Sequence, residues 1–316
     1  MTSPPGVPPR PATIVDVARA AGVSRQTVTR ALHDMTGINP ATRERVLSAA
    51  RDLHYHPSRF GRGLVKPSTR TLGLLVGDLA NPYYAELAST VLGLAGEQGW
   101  NVVMAEPANS DDLVAGVDAV VSFTGLQFTV AAAGAPNLPV VEIDPPAVHP
   151  DRGRVVLDRG PATEAAVHHL VQRGTRRPVV LDTAEPVGSS SRAAAFVDAF
   201  RRAGVEPRTA PSRTPWRELA PGRPDAVLAY NDLEGFGVLR DLRAAGVGVP
   251  EEVRVMGVDG LAVGAYVTPR LSTLATDLSE VAGAALGLVL GLAEGRVRAA
   301  DAVATIVQRF VAGDST

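Results

Sequence analysis

The chain contains no cysteine. That absence excludes disulfides and thiolate metal sites, and it removes the usual sign of secretion into an oxidising compartment. Lysine is almost as scarce: Lys66 is the only one among 31 basic side chains, a usage that genome base composition explains as well as function does. No apolar run is long enough to span a bilayer. The richest late stretch, "VAGAALGLVLGLAEG", stops short and ends in charge. The opening residues, "MTSPPGVPPRPA", lack the apolar centre of an export signal, so the expectation is a cytoplasmic, nucleoid-associated protein with no membrane partner. Enzyme signatures are missing too. There is no G-x-S-x-G or phosphate-binding loop, and "VGSSSR" offers serines without a placed base. His168 and His169 are neighbours on a helix and point in different directions, unlike the i, i+4 pair of a metal site. No catalytic residue, metal or cofactor is expected.

What is present is an ordinary globular composition, 45% hydrophobic and 20% charged, over 316 residues, enough for two to three domains. The net charge of −2 hides an asymmetry. Residues 1–70 carry 11 basic and 4 acidic side chains, a net +7, whereas the remainder carries 20 and 29, a net −9. A basic head on an acidic body points to a polyanion met by the head alone.

Residues 1–11 are proline-rich with few apolar anchors, the composition of a disordered tail. The pattern then changes to three short helices over 12–57. In "TIVDVARAAGVSRQTVTRALHD", Ile14, Val17, Ala18 and Ala21 share one helical face, Thr13 and Asp16 make a capping-box-like start, and Gly22 supplies the turn. Ser24 caps a second helix whose inner face is Val28, Ala31 and Leu32. Asn39 caps a third, with Pro40 at its first position and Val46, Leu47, Ala50 and Leu53 facing inward. On the second helix Arg25 and Thr29, and Gln26 and Arg30, lie four residues apart and form two outward stripes. Arginine and glutamine make bidentate contacts to base edges in the major groove. Two helices around a glycine-bearing turn with a third behind form a helix-turn-helix head, and its polar stripe is suited to reading DNA.

Beyond a basic segment, "SRFGRGLVK" (58–66), apolar runs alternate with helical segments. "TLGLLV", "NVVMA", "DAVVSF", "LPVVEI", "RVVLD", "RPVVLD", "DAVLAY", "VRVMGV" and "ATIVQRF" read as strands, and Gly99, Gly174, Gly204, Gly246 and Gly295 end the helices between them. Strands alternating with helices imply parallel sheets, and residues 70–316 suffice for two such units. Ligands of open α/β sheets bind at the carboxyl ends of the strands. The polar residues there are Asp78, Tyr83, Tyr84, Arg192, Asn231 and Asp259, with Trp216 as an aromatic able to stack on a sugar face. Asn231 also fits a helix cap, and Asp78 and Asp259 also fit loop-ordering carboxylates.

The stretches "TIVDVARAAGVSRQTVTRALHD", "INPATRERVLSAARDLHYHPSR" and "LGLLVGDLANPYYAEL" closely resemble the lactose-repressor/galactose-repressor (LacI/GalR) family of bacterial transcription regulators. The likeness continues more loosely through "AYNDLEGFGVLRDLRAAGVGVPEEVRVMGVDG" and "TPRLSTL". It implies a homodimer or dimer of dimers on near-palindromic double-stranded operator DNA, most often repressing, with a two-lobed body shaped like a periplasmic binding protein around a sugar-like effector. The lobes would be 70–158 plus 277–294 and 159–276 plus 295–316, joined to the head by a hinge at 58–69. By the same resemblance Arg25 and Gln26 take the first reading positions, with Thr29 and Arg30 further along, and Ser24 and Thr27 meet phosphates. Leu64 matches the hinge leucine that wedges into the minor groove, with Arg59, Arg62 and Lys66 beside phosphates. Arg192, Asn231 and Asp259 match positions that line the effector cleft.

Three departures stand out. Gly61 and Gly63 fall inside the hinge, and each disfavours a helix by about 1 kcal/mol relative to alanine, so a hinge helix depends heavily on operator contact. Only "LVAG" precedes the strand at 118–123, too little for an ordinary crossover helix, and "TAPSRTPWRELAPGRPDAV" is short for one as well. The expectation there is a single abbreviated turn and an altered pocket edge.

Overall fold

The computed structural model describes residues 14–32, 35, 37–53, 70–123, 138–184 and 186–316. The N-terminal tail, Thr13, and the hinge residues Arg59, Gly61, Arg62, Gly63, Leu64 and Lys66 lie outside the described residues. The chain divides into two compact units, Met1–Ser68 and Thr69–Thr316. Among the described residues no helix is long and apolar enough to cross a membrane.

The head consists of α1 (Ile14–Ala21), α2 (Arg25–Leu32) and α3 (Pro40–Asp52). The α1–α2 turn closes through main chain alone: Gly22 N–H donates to Arg19 C=O at 3.3 Å and Val23 N–H to Ala18 C=O at 3.0 Å. Gly22 sits at φ +61°, the left-handed conformation this pattern of bonds requires and glycine adopts without strain. Asn39 caps α3 by accepting from Ala41 N–H at 2.9 Å, with Pro40 at the first helical position. The three helices bury Val17, Ala18, Ala21, Val28, Ala31, Val46, Ala49 and Ala50 between them. Leu53 does not face inward as expected; α3 stops at Asp52, so Leu53 is left exposed while Ala49 fills the inner face.

The body has two six-stranded sheets. The first is built from β1 (Thr71–Leu75), β2 (Asn101–Ala105), β3 (Ala119–Ser122), β4 (Val140–Ile143), β5 (Gly153–Asp158) and β11 (Val303–Val307), ordered β11-β5-β4-β3-β1-β2 and parallel throughout. Helices α4 (Pro82–Glu97) and α10 (Leu278–Ala293) cover one face, where Leu87, Val91, Ala285 and Val289 meet Leu74, Val121 and Val155. On the other face α5 (Ser110–Val114) presses Leu113 and Val114 onto Leu75, Val120 and Val140. That five-residue helix, entered through a 3-10 turn at Pro107–Asn109, is the abbreviated crossover read from the sequence.

The second sheet holds β6 (Pro178–Asp182), β7 (Arg208–Pro211), β8 (Ala226–Leu228), β9 (Arg254–Asp259), β10 (Ser272–Ala275) and β12 (Arg309–Val311), ordered β12-β10-β9-β8-β6-β7, with β12 antiparallel to β10. Helices α6 (Gly160–Gln172) and α7 (Ser191–Arg202) cover one face through Val167, Leu170, Phe196 and Phe200. On the other lie α9 (Asp232–Ala244) and the single turn α8 (Trp216–Leu219), burying Leu219, Leu239 and Leu242.

Two strands were not legible in advance. β7, "RTAP", has no apolar run because it is an edge strand, and β10, "STLA", is half polar. The run "ATIVQRF" is also not one strand. It breaks at Gln308, so that 303–307 join the first sheet by pairing with β5, and only 309–311 join the second. The division that gave all of 295–316 to the second lobe is corrected accordingly. The chain thus passes between lobes three times, at Arg159, at Thr276–Asp277 and at Gln308.

Phe200 is fully buried at the centre of the second lobe. Truncation to alanine leaves a cavity and should lower stability by about 3–5 kcal/mol. Chemical denaturation of Phe200→Ala checks this.

Candidate nucleic-acid interface and ligand cavity

Ser24 starts α2, its hydroxyl oxygen accepting from Thr27 N–H at 3.1 Å and lying 2.9 Å from Thr27 Oγ1. Burial of Val28 and Ala31 then fixes which way the helix faces. Ser24, Arg25, Gln26 and Arg30 are exposed, and Thr27 and Thr29 are half-buried. The Thr29 hydroxyl donates back to Arg25 C=O at 3.1 Å. Behind α2, Arg45 donates to Ala21 C=O at 3.1 Å and Arg43 to Met35 C=O at 2.8 Å. These two arginines brace the turns, while Arg25 and Gln26 carry no bracing bond among the described residues.

In the body a cavity of about 170 Å³ opens between the lobes at the carboxyl ends of the strands. Tyr83 and Tyr84 come from the first turn of α4, Asp144 from the end of β4, Arg192 from α7, Tyr230 and Asn231 from the β8–α9 corner, and Asp259 from the end of β9. Thr276 and Gln308, two of the residues at which the chain changes lobes, close the floor. The second-lobe loops are fixed by carboxylates. Asp182 accepts from Gly188 N–H at 2.8 Å and Ser190 N–H at 3.1 Å, which sets the start of α7 and so the place of Arg192. Asp232 accepts from Gly260 and Leu261 N–H, both at 2.8 Å, and from the Thr273 hydroxyl at 2.6 Å. Asn231 caps α9, its Oδ1 accepting from Glu234 N–H at 2.9 Å, and its amide nitrogen is left over.

Arg192 donates to Tyr230 C=O, stacks over the Tyr230 ring at 4.6 Å, and places Nη2 3.8 Å from Asp259 Oδ1. Arg159 donates to the Asp144 carboxylate and, at 3.3 Å, to the Ser191 hydroxyl, joining the lobes beside the cavity. Asp259 has φ +126°, a conformation that L-residues adopt only under strain, and strain of this kind is concentrated at ligand sites. Burial pushes its carboxyl up to about 7, against the pull of Arg192, with Asp232 adding to the rise. Burial likewise raises the hydroxyls of Tyr83 and Tyr84, reinforced by the Asp259 charge. The tyrosines are therefore neutral donors and acceptors, and the cavity combines neutral hydroxyls, amides, one guanidinium and two carboxylates.

A family model for bacterial regulatory proteins of the lacI family matches residues 13–58, and one for a periplasmic binding protein-like domain matches residues 167–316. The ribose operon repressor of Bacillus subtilis (strain 168) is 30% identical over 310 residues, covering 89% of this chain and 91% of that protein. The chain belongs to the LacI family of bacterial transcription regulators. The regulator GalR of Salmonella typhimurium (strain LT2) is also 30% identical, over 89% of this chain and 90% of its own length. A LacI-family regulator from Arthrobacter sp. FB24, solved in complex with lactose, superposes with a TM-score of 0.70 at 28% identity, over 78% of this chain and 99% of that one. Membership makes this LacI-family protein a regulator and not an enzyme. His168 and His169 accordingly have structural surroundings: His168 is exposed, and His169 Nε2 lies 3.0 Å from Thr316 Oγ1 beside the Phe310 ring.

Of the residues singled out as effector-binding in this LacI-family body, Tyr83, Tyr84, Arg192, Asn231 and Asp259 line the one cavity. Asp78 lies in an adjoining cavity, its Oδ1 taken by Ala80 N–H at 2.9 Å. Trp216 is a correction. It begins α8 and packs on the lobe core with Leu219, lining a separate recess with Asp241 and Ala244. The shortened crossover after β7 ties α8 to that core. Sequence reasoning missed Asp144, Tyr230, Thr276 and Gln308. Asp144 directly follows β4, much as Asp259 ends β9, and the strand-end rule finds it. Gln308 was hidden inside a run read as one strand.

The raised carboxyl of Asp259 has a signed consequence. Its stabilising contribution is complete below the unfolded carboxylate value of about 3.9 and is lost as pH rises through about 7. Melting temperatures at pH 5 and pH 8 should fall more steeply for the natural protein than for Asp259→Asn, which keeps the shape and cannot ionise.

Proposed function

We propose that the chain is a repressor that binds a near-palindromic double-stranded operator as a homodimer or dimer of dimers and is switched by a sugar-like effector between the body lobes. The observation that carries the DNA half is α2. Its apolar side is used up in the head core, and Arg25, Gln26 and Arg30 are left exposed on a capped helix within a unit of net positive charge. Arg25 and Gln26 read base edges, Arg30 follows further along, and Ser24 and Thr27 sit at the phosphate-facing start of the helix. Thr29 joins them once its hydroxyl leaves the Arg25 carbonyl. From the resemblance alone, Leu64 wedges into the minor groove while Arg59, Arg62 and Lys66 meet phosphates.

The effector half is supported by the strand-end cavity and its polar lining, and by relatives whose names include a ribose operon repressor and a lactose complex. Effector and operator favour different lobe arrangements, so each changes the other's affinity reciprocally. Dimerisation is supported by apolar side chains that the body leaves uncovered. Leu92 on α4 and Val103 and Met104 on the edge strand β2 are exposed, and Tyr266, in the segment after β9, is 89% exposed.

Three measurements test the reading. Fluorescence anisotropy should show Gln26→Ala losing about 1–3 kcal/mol on cognate operator and far less on scrambled DNA; equal losses would remove it as a reader. Arg59→Ala should weaken both DNAs evenly and reduce the salt slope by about 1. Sedimentation velocity should show Met104→Asp shifted from dimer toward monomer.

A further inference from the structure

The negative charge of the body is confined to one lobe. The stretches that build the first lobe, 70–158 and 277–307, carry 5 basic and 15 acidic side chains, a net −10. Those that build the second, 159–276 and 308–316, carry 16 and 14, a net +2. Within the second lobe the two signs are separated as well. Asp182, Asp232, Glu234 and Asp259 gather where its strands end, beside the cavity. Arginines gather at the opposite end, where the strands begin.

Strands β10, β9, β8, β6 and β7 are neighbours in that order and run parallel, so their starts stand side by side, about 4.8 Å apart. Each start carries an arginine. Arg270 lies just before β10, Arg254 opens β9, Arg223 lies just before β8, Arg177 just before β6, and Arg208 opens β7. Arg254 is half-buried and the other four are exposed. From first to last the row spans about 19 Å. Arg208 lies across Gly222, where an added Cβ would stand 1.5 Å from its Nη1, so its guanidinium reaches the loop that carries Arg223.

The charges of this row are held in place without being cancelled. None of the five arginines forms an ion pair among the described residues. Arg254 donates instead to Arg173 C=O and Arg270 to Ala312 C=O at 2.8 Å, while Arg176, beside them, donates to Thr175 C=O at 2.9 Å. The carboxylates of this end are mostly engaged elsewhere. Asp225 accepts from the N–H groups of Arg176 and Arg177, both at 2.8 Å, Glu252 accepts from Gly248 N–H at 2.8 Å, and Glu206 pairs with Arg201. Glu251 and Asp314 are exposed here and are outnumbered by the arginines. The nearest imidazole registers the surplus: burial first and the Arg173 charge second, with Arg254 adding, hold His169 below its ordinary value.

A guanidinium fixed by a main-chain carbonyl keeps its charge and its remaining N–H donors for an outside acceptor, and its planar fork matches phosphate oxygens. Among the described residues no exposed aromatic stands at this end, whereas a protein partner is ordinarily anchored by one. Fixed cations with nothing to stack on a base suit a phosphate backbone of any sequence.

We propose that this end of the second lobe is a sequence-independent docking surface for the phosphate backbone of duplex DNA, so that the body holds DNA as well as the head. The test is arginine footprinting of the full-length protein with phenylglyoxal, read by mass spectrometry, with and without mixed-sequence DNA duplex. Arg177, Arg208 and Arg223 should be protected by the duplex, alongside Arg25 and Arg30 of the head, while Arg298 of the first lobe should not. In fluorescence anisotropy, Arg177→Glu/Arg223→Glu should bind the duplex at least ten-fold more weakly, with a salt slope smaller by about 2 and an unchanged melting temperature. Arg177→Lys/Arg223→Lys, which keeps the charge, should bind within two-fold of the natural protein. Protection of the head arginines alone, or full affinity in the glutamate variant, would overturn the docking surface and leave the head reading standing. Protection of Arg177, Arg208 and Arg223 that grows with protein concentration in the absence of DNA would assign this end to the acidic first lobe of a second copy and overturn it too. A duplex that protects no arginine would overturn both.

Discussion

The body is organised around a hydrogen bond 2.7 Å long, from Gln308 Nε2 to Thr276 Oγ1. Those residues lie on two of the three passages between lobes, and the bond ties the passages together where both are buried. Gln308 N–H also donates to Asp158 C=O at 2.9 Å, bringing in the end of β5 just before the third passage at Arg159. Every wall of the inner cavity is placed relative to this knot. The first lobe contributes Tyr83, Tyr84 and Asp144, the second contributes Arg192, Asn231 and Asp259, and the knot supplies the floor. Two separately closed hydrophobic cores stand on either side of it. Motion about such a joint leaves each core intact and changes only the gap between polar surfaces.

The second lobe shows how a site can be precise although it is made of loops. Asp182, Asp232 and Glu234 do not face a ligand in any special way; they collect main-chain N–H groups. Glu234 takes Tyr230 N–H at 2.6 Å, the Ser212 hydroxyl at 2.9 Å and the Arg213 N–H. Each of these carboxylates satisfies donors that a loop would otherwise leave unpaired, and in doing so holds the corners from which Arg192, Tyr230, Asn231 and Asp259 project. The strained backbone of Asp259 persists because Asp232 holds the turn immediately after it.

Much of this was legible in the sequence where one local rule dominated. Helix periodicity and capping located α1, α2 and α3, and the apolar runs located most strands, because burial on both faces leaves continuous Val and Leu. Tyr83, Tyr84, Arg192, Asn231 and Asp259 meet at one cavity because α/β topology brings strand ends together, whereas Asp78 lies in the adjoining one. The failures have physical causes as well. β7 and β10 lie in strands whose pairing comes from neighbours rather than from their own apolar content. The split at Gln308 depends on a long-range exchange of partners that no local window contains. Trp216 was misplaced because an aromatic in a loop carries no sign of which side of the sheet its short helix will settle on. Leu53 was assigned inward one residue beyond where α3 stops.

The α1–α2 turn is closed by Gly22 and Val23 through main-chain bonds, and α2 is started by Ser24 and oriented by Val28 and Ala31. None of these duties falls on Arg25, Gln26 or Arg30. On the proposed reading, fold and address are therefore written in different letters of the same eight-residue helix. If the exposed letters are the address, as proposed, a regulator of this design is free to drift from one operator to another while the scaffold beneath stays as it is.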